Sequence, residues 1–111
     1  MSSADVVRSI KIKTNTLKRL QKEFSYYLTE KDKEQTRVDR LRAEGADTHD
    51  LKQAENVLAE SAMMIPETRQ RLEAALSDLQ AFVCDNDQDA AGSTELDAAR
   101  TAIEEAQGAF S

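Results

Sequence analysis

A leucine or isoleucine returns every seventh residue at Leu51, Leu58, Ile65, Leu72 and Leu79, and Ala54, Ser61, Thr68, Ala75 and Phe82 follow three positions behind. Such spacing gathers both sets on one stripe of an α-helix, whereas a strand would throw successive members onto opposite faces. Large residues mostly alternate with small ones, which lets a neighbouring helix approach closely. Leu58, Ile65 and Leu72 are therefore expected in the core. The stripe keeps its phase through Pro66, the only proline of the chain. Proline removes the bond to the carbonyl of Ala62 and crowds it, so the spacing predicts one kinked helix rather than two. The kink either serves only to wrap the helix around its neighbours, or it also frees an adaptable apolar patch, with Met64 beside the seam and Met63 turned outward.

The first segment carries a second seam. Ile10, Leu17, Phe24 and Val38 share one heptad position, and Leu20, Tyr27 and Leu41 share the one three residues later. Lys31 and Glu34 interrupt it, so the seam loosens there or meets a polar partner. Gly45 within EGADTHD can adopt the left-handed conformation that ends a helix. Asp47, Thr48 or Asp50 can cap the next one, and Asp50 with Gln53 has capping-box spacing. After Cys84 the polar run CDNDQDAAGST forms a loop. Ser93 or Thr94 then caps a third helix, in which Leu96, Ile103 and Phe110 recur with Ala99 and Ala106 between them.

With 5% aromatic residues, three glycines and no tryptophan in 111 residues, sheet architectures are disfavoured. The expectation is an all-α single domain over 1–111: an elongated antiparallel three-helix bundle with coiled-coil-like packing, a proline-kinked second helix, and helices near 5–43, 50–83 and 94–109.

A net charge of −6 argues against nucleic acid as a partner. A lone cysteine, Cys84, and a lone histidine, His49, assemble neither a disulfide nor a zinc site. The apolar runs fall short of the roughly 18 residues that cross a bilayer, so a soluble cytoplasmic protein without membrane contact is expected. DNDQD, at 85–89, imitates the start of a calcium loop, but Ala90 stands where the turn needs glycine and Leu96 where a bidentate glutamate should close the shell. His49 lies in a turn with no evident serine or cysteine partner, and Cys84 reads as packed at a helix end behind Phe82 and Val83. No cofactor and no enzymatic activity are expected.

Charge is unevenly spread. Arg8, Lys11, Lys13, Lys18, Arg19 and Lys22 fall within fifteen residues with no acidic residue among them. From Asp85 onward seven acidic residues face Arg100 alone. The basic run is either a solvated helix face or a docking face for an acidic protein, where complementary charge speeds encounter.

IKIKT (10–14), LKRLQKE (17–23), RAEG (42–45) and ESAMMIPETRQRLEAALSDLQ (60–80) together resemble the tubulin-binding cofactor A family. The resemblance spans about two thirds of the chain with its pieces in order. It implies a noncatalytic three-helix cochaperone that captures quasi-native β-tubulin after chaperonin release and holds it for other tubulin-folding cofactors, in the cytoplasm and associated with the cytoskeleton. The partner-binding residues expected from the sequence are Arg8, Lys11, Lys13, Lys18, Arg19, Lys22 and Met63, with Pro66, Gly45, Leu58, Ile65 and Leu72 as structural positions. The heptads alone also suit a structural coiled-coil subunit or adaptor, and both a monomer and a homodimer stay open.

Overall fold

A computed structural model describes residues 1–110. Three helices account for almost all of them: α1 Ser3–Ala43, α2 Thr48–Asn86 and α3 Thr94–Gly108. No strand occurs among the described residues.

Each boundary has a local chemical cause. At the start of α1 the Ser2 hydroxyl accepts from the Asp5 N–H at 3.1 Å, and the Asp5 carboxylate accepts from the Ser2 N–H at 3.4 Å. This reciprocal capping box starts the helix two residues earlier than the hydrophobic pattern suggests. At its end Gly45 has φ +68, the Gly45 N–H reaches the Arg42 carbonyl and the Ala46 N–H reaches the Leu41 carbonyl. These paired bonds form a Schellman motif, which needs the left-handed residue that glycine supplies. Helix α2 starts at Thr48, not at Asp50. Asp47 is the cap, its carboxylate accepting from the His49 N–H at 3.3 Å, so the Asp50–Gln53 box is not used. At the far end α2 runs three residues beyond the expected stop at 83, to Asn86, whose side chain donates to the Phe82 carbonyl at 2.9 Å. Gly92, with φ +83, turns the chain, and the Ser93 hydroxyl caps α3 by accepting from the Leu96 N–H at 3.1 Å.

The chain divides into two compact units. Residues 1–22 and 70–111 form one, in which all three helices contribute. Its buried residues are Val6, Ile10, Thr14, Leu17 and Leu20 from α1, Leu72, Leu76, Leu79 and Val83 from α2, Ala90 from the turn after α2, and Leu96, Ala99, Ala102 and Ala106 from α3. Alanines dominate the α3 contribution, so its backbone can lie close against the larger side chains of the other two. Lys13 of α1 and Asp78 of α2 pair across this unit at 2.7 Å, and the Gln21 amide reaches the Glu105 carbonyl of α3 at 3.5 Å.

Residues 23–69 form the other unit, an antiparallel hairpin of the remaining parts of α1 and α2. Here only Phe24, Val38, Ala54 and Thr68 are buried. Tyr27, Leu41, Leu51, Leu58, Met64 and Ile65 are half-buried, because two helices can cover only the facing side of each other's stripe. Leu58 and Ile65 are thus less enclosed than their heptad positions suggest, while Leu72 in the three-helix unit is fully enclosed. Lys31, one of the two interrupting charges, is exposed. Glu34 is half-buried and lies 3.9 Å from Arg37, with one carboxylate oxygen sealed from water and without a hydrogen bond. Helix α2 passes through Pro66 unbroken, with the proline on an exposed position.

Two stability predictions follow from these differences in enclosure and backbone. Leu72→Ala should cost about 2–5 kcal/mol in chemical denaturation, with Leu58→Ala and Ile65→Ala each costing less than Leu72→Ala. Equal losses at all three positions would contradict the burial pattern. A β-carbon on Gly45 meets nothing within 4 Å, so Gly45→Ala should lose about 1–2 kcal/mol through the positive φ alone. Gly45→Asn should lose less, and the ranking is checked by the same chemical denaturation.

Candidate functional site

An α-helix turns about 100° per residue, which places Arg8, Lys11, Lys18, Arg19 and Lys22 within a single arc of about 100° on α1. All five are exposed. This arc lies away from the buried line of Ile10, Leu17 and Leu20, so packing against the other helices does not consume it. Arg8 stands 4.0 Å from Asp5, a long and solvated contact. Among the described residues none of Lys11, Lys18, Arg19 and Lys22 has an acidic partner within ion-pair distance.

Lys13 departs from the sequence expectation. Its position falls on the opposite side of the helix, half-buried, where its ammonium pairs with Asp78 and lies 5.3 Å from the centre of the Phe82 ring. It ties α1 to α2 through charge and through the ring's negative face. The six cations that look contiguous along the chain therefore separate into an outward group of five and one inward anchor.

Ile12 is a surface residue outside the seam of α1. It is 60% exposed and sits on the line of Arg8, Asn15 and Arg19, which follow one another at helical spacings of four, three and four. It leaves one apolar side chain exposed within the basic face. The signal was present in IKIKT, since Ile10 and Ile12 cannot both face the same seam.

Beside this face, Lys11, Thr14, Asn15 and Lys18 of α1 and Glu95 and Ala98 of α3 line an open groove of about 320 Å³. The Glu95 carboxylate is held at the start of α3 by the Thr94 hydroxyl at 3.0 Å.

In the hairpin unit Met63 is 71% exposed, facing outward, while Met64 is half-buried along the seam. Tyr26 and Leu28 are also exposed large side chains of that unit. Cys84 is exposed, in contrast to the packed position expected from its apolar neighbours. The reason is helical phase: Val83 completes the buried line of Leu72, Leu76 and Leu79, and the next residue is turned about 100° away. His49 is exposed in the first turn of α2. Asp85, Asp87 and Asp89 point into solvent, and among the described residues no three potential ligands converge on a metal position. No helix of the described residues is long and apolar enough to cross a membrane.

The family described as Tubulin binding cofactor A matches residues 5–103 of the chain. The Arabidopsis thaliana protein named Tubulin-folding cofactor A is 47% identical over 79 residues, covering 71% of this chain and 70% of its own length. The human Tubulin-specific chaperone A is 40% identical over 98 residues, with 88% and 90% of the two chains covered. The crystal structure of the Arabidopsis tubulin folding cofactor A superposes with a TM-score of 0.86 at 37% identity, covering 95% of this chain and 98% of that one. By sequence and by fold, the chain belongs to the tubulin-binding cofactor A family.

Proposed function

We propose that this protein is a noncatalytic tubulin-folding cochaperone that binds quasi-native β-tubulin after chaperonin release and holds it in the cytoplasm for other tubulin-folding cofactors. The observation that carries the residue assignment is the outward face of α1: five exposed cations, four without an acidic partner, on a chain whose net charge is −6. Like charges at helical spacing, such as Arg8 with Lys11 and Lys18 with Lys22, repel by about 0.2–0.5 kcal/mol per pair, and a partner of opposite sign relieves that repulsion. Arg8, Lys11, Lys18, Arg19 and Lys22 steer an acidic client surface into contact, and Ile12 supplies an apolar point within the same footprint. Met63 contributes an adaptable contact from the hairpin unit. Lys13 serves the packing of α1 on α2 and leaves docking to the other five.

A structural coiled-coil subunit is the second reading, favoured by the half-buried seam and the exposed Tyr26, Leu28 and Met63 of the two-helix hairpin. That reading calls for stable assembly with another helix and no client. A pull-down of β-tubulin with the purified chain, set beside light scattering of the chain alone, separates the two: capture by the chain supports the cochaperone, and self-assembly without capture supports the structural subunit.

Charge steering acts on the rate of encounter and is screened by salt. Replacing Lys11, Lys18, Arg19 and Lys22 together by Gln should slow association with β-tubulin by roughly tenfold at low ionic strength and flatten its salt dependence. Stopped-flow association showing the same rate and the same salt slope would reject the docking face. Met63→Ala should leave thermal stability within about 0.5 kcal/mol of the parent, as at other exposed positions, and should raise the dissociation rate from β-tubulin. An unchanged dissociation rate would remove Met63 from the contact.

A further inference from the structure

Thr14 is only 3% exposed, yet its hydroxyl has no hydrogen-bond partner. Buried hydroxyls are nearly always paired. The usual solution for a helical threonine is the carbonyl four residues back, which Thr16, Thr36 and Thr101 all use here at 3.0–3.2 Å. Thr14 does not use it, although it borders the groove between α1 and the start of α3. Helical threonine has two accessible χ1 rotamers, so rotation can turn the hydroxyl toward the groove.

The same groove gathers other unspent donors. Lys11, Asn15 and Lys18 stand at i, i+4 and i+7 and so lie along one line of α1. Neither lysine has an acidic partner among the described residues, and the Asn15 side chain is without a bond there as well. Opposite them α3 begins, where the Ser93 cap satisfies the Leu96 N–H and leaves earlier N–H groups of the first turn open. Glu95 is the single acid in the groove, so two ammonium groups face one carboxylate.

We infer that this groove receives a carboxylate side chain from an acidic segment of the protein partner, with Lys11 and Lys18 flanking it and Asn15 and Thr14 donating from the floor. The inference rests on the reading of the α1 face as the docking surface and specifies where on that face recognition is most exact. A segment, rather than a lone anion, fits because the cations continue past the groove. Lys22 lies beyond Lys18 and Arg8 precedes Lys11, so further acidic residues on the same segment meet charge on either side. The separation of Lys11 from Lys18 along the helix, about 10 Å, is spanned by about three residues of an extended chain.

The test uses the full isotope-labelled chain, titrated with a dodecapeptide of alternating Glu and Gly and, separately, with its Gln/Gly counterpart. The Glu peptide should saturably shift the amides of Asn15, Lys18, Thr94 and Glu95, and the Gln peptide should not. Thr14→Val should weaken the Glu peptide about fivefold while leaving the melting temperature unchanged or raised, since an unpaired buried hydroxyl has been removed. Ala98→Trp fills the groove while keeping every cation, and should weaken binding at least tenfold. Wild-type affinity in both variants, or shifts that spread evenly along α1 and spare the α3 amides, would overturn the groove. Capture of β-tubulin by the unmodified chain is scored in parallel. Capture without peptide binding overturns the groove alone, whereas absence of capture overturns the proposed function and leaves the titration to decide the groove.

Discussion

Complete burial of Ile10, Leu17, Leu72 and Leu79 is the constraint on which the rest of the molecule depends. These side chains come from two helices, and enclosing them takes a third, whose alanines let its backbone lie close. Once that line is sealed, the rotation of α1 is fixed, and with it the direction in which every other residue between 8 and 22 points. The basic face is thus a by-product of core packing: five of the six cations between 8 and 22 remain outside, together with Ile12 and Asn15. Lys13 reinforces the same rotation from the inside, since its pair with Asp78 and its place over Phe82 are available in only one orientation of α1.

The hairpin unit obeys the same chemistry with one helix fewer. Its heptad residues are present, but only Phe24, Val38, Ala54 and Thr68 reach full burial. Glu34 occupies a seam position with one oxygen sealed and unbonded, which a tightly closed interface would penalise. Local opening is expected to be easier here than among residues 1–22 and 70–111, because fewer apolar contacts must be given up. Met63 and Tyr26 are exposed on this less enclosed unit, whereas the enclosed three-helix unit holds the charge pattern of α1 in a fixed orientation.

Much of this was legible in the sequence. Seven-residue recurrence in each segment gave the three helices, and Gly45 and Ser93 marked ends that the backbone uses as expected. What the periodicity did not give was depth of burial. Leu58 and Leu72 occupy equivalent heptad positions, and only the presence of α3 beside one of them distinguishes half-burial from full burial. Capping chemistry was partly hidden for a similar reason: Asp47 and Asp50 both have the right side chain, and the turn geometry decides between them. Counting cations along the chain overstated the cluster, because linear proximity ignores the rotation that sends Lys13 inward. Helical phase, applied to every residue rather than to the apolar ones alone, would have separated Lys13, exposed Cys84 and found Ile12.

The proposed docking of the outward arc of α1 on an acidic surface of tubulin is read out by carboxylate-to-amine crosslinking of the complex with β-tubulin, followed by mass spectrometry. Links are expected from Lys11, Lys18 and Lys22 to aspartates or glutamates of β-tubulin, and none from Lys13. Links confined to lysines outside that arc, with Lys11, Lys18 and Lys22 as reactive in the complex as in the free protein, would contradict it.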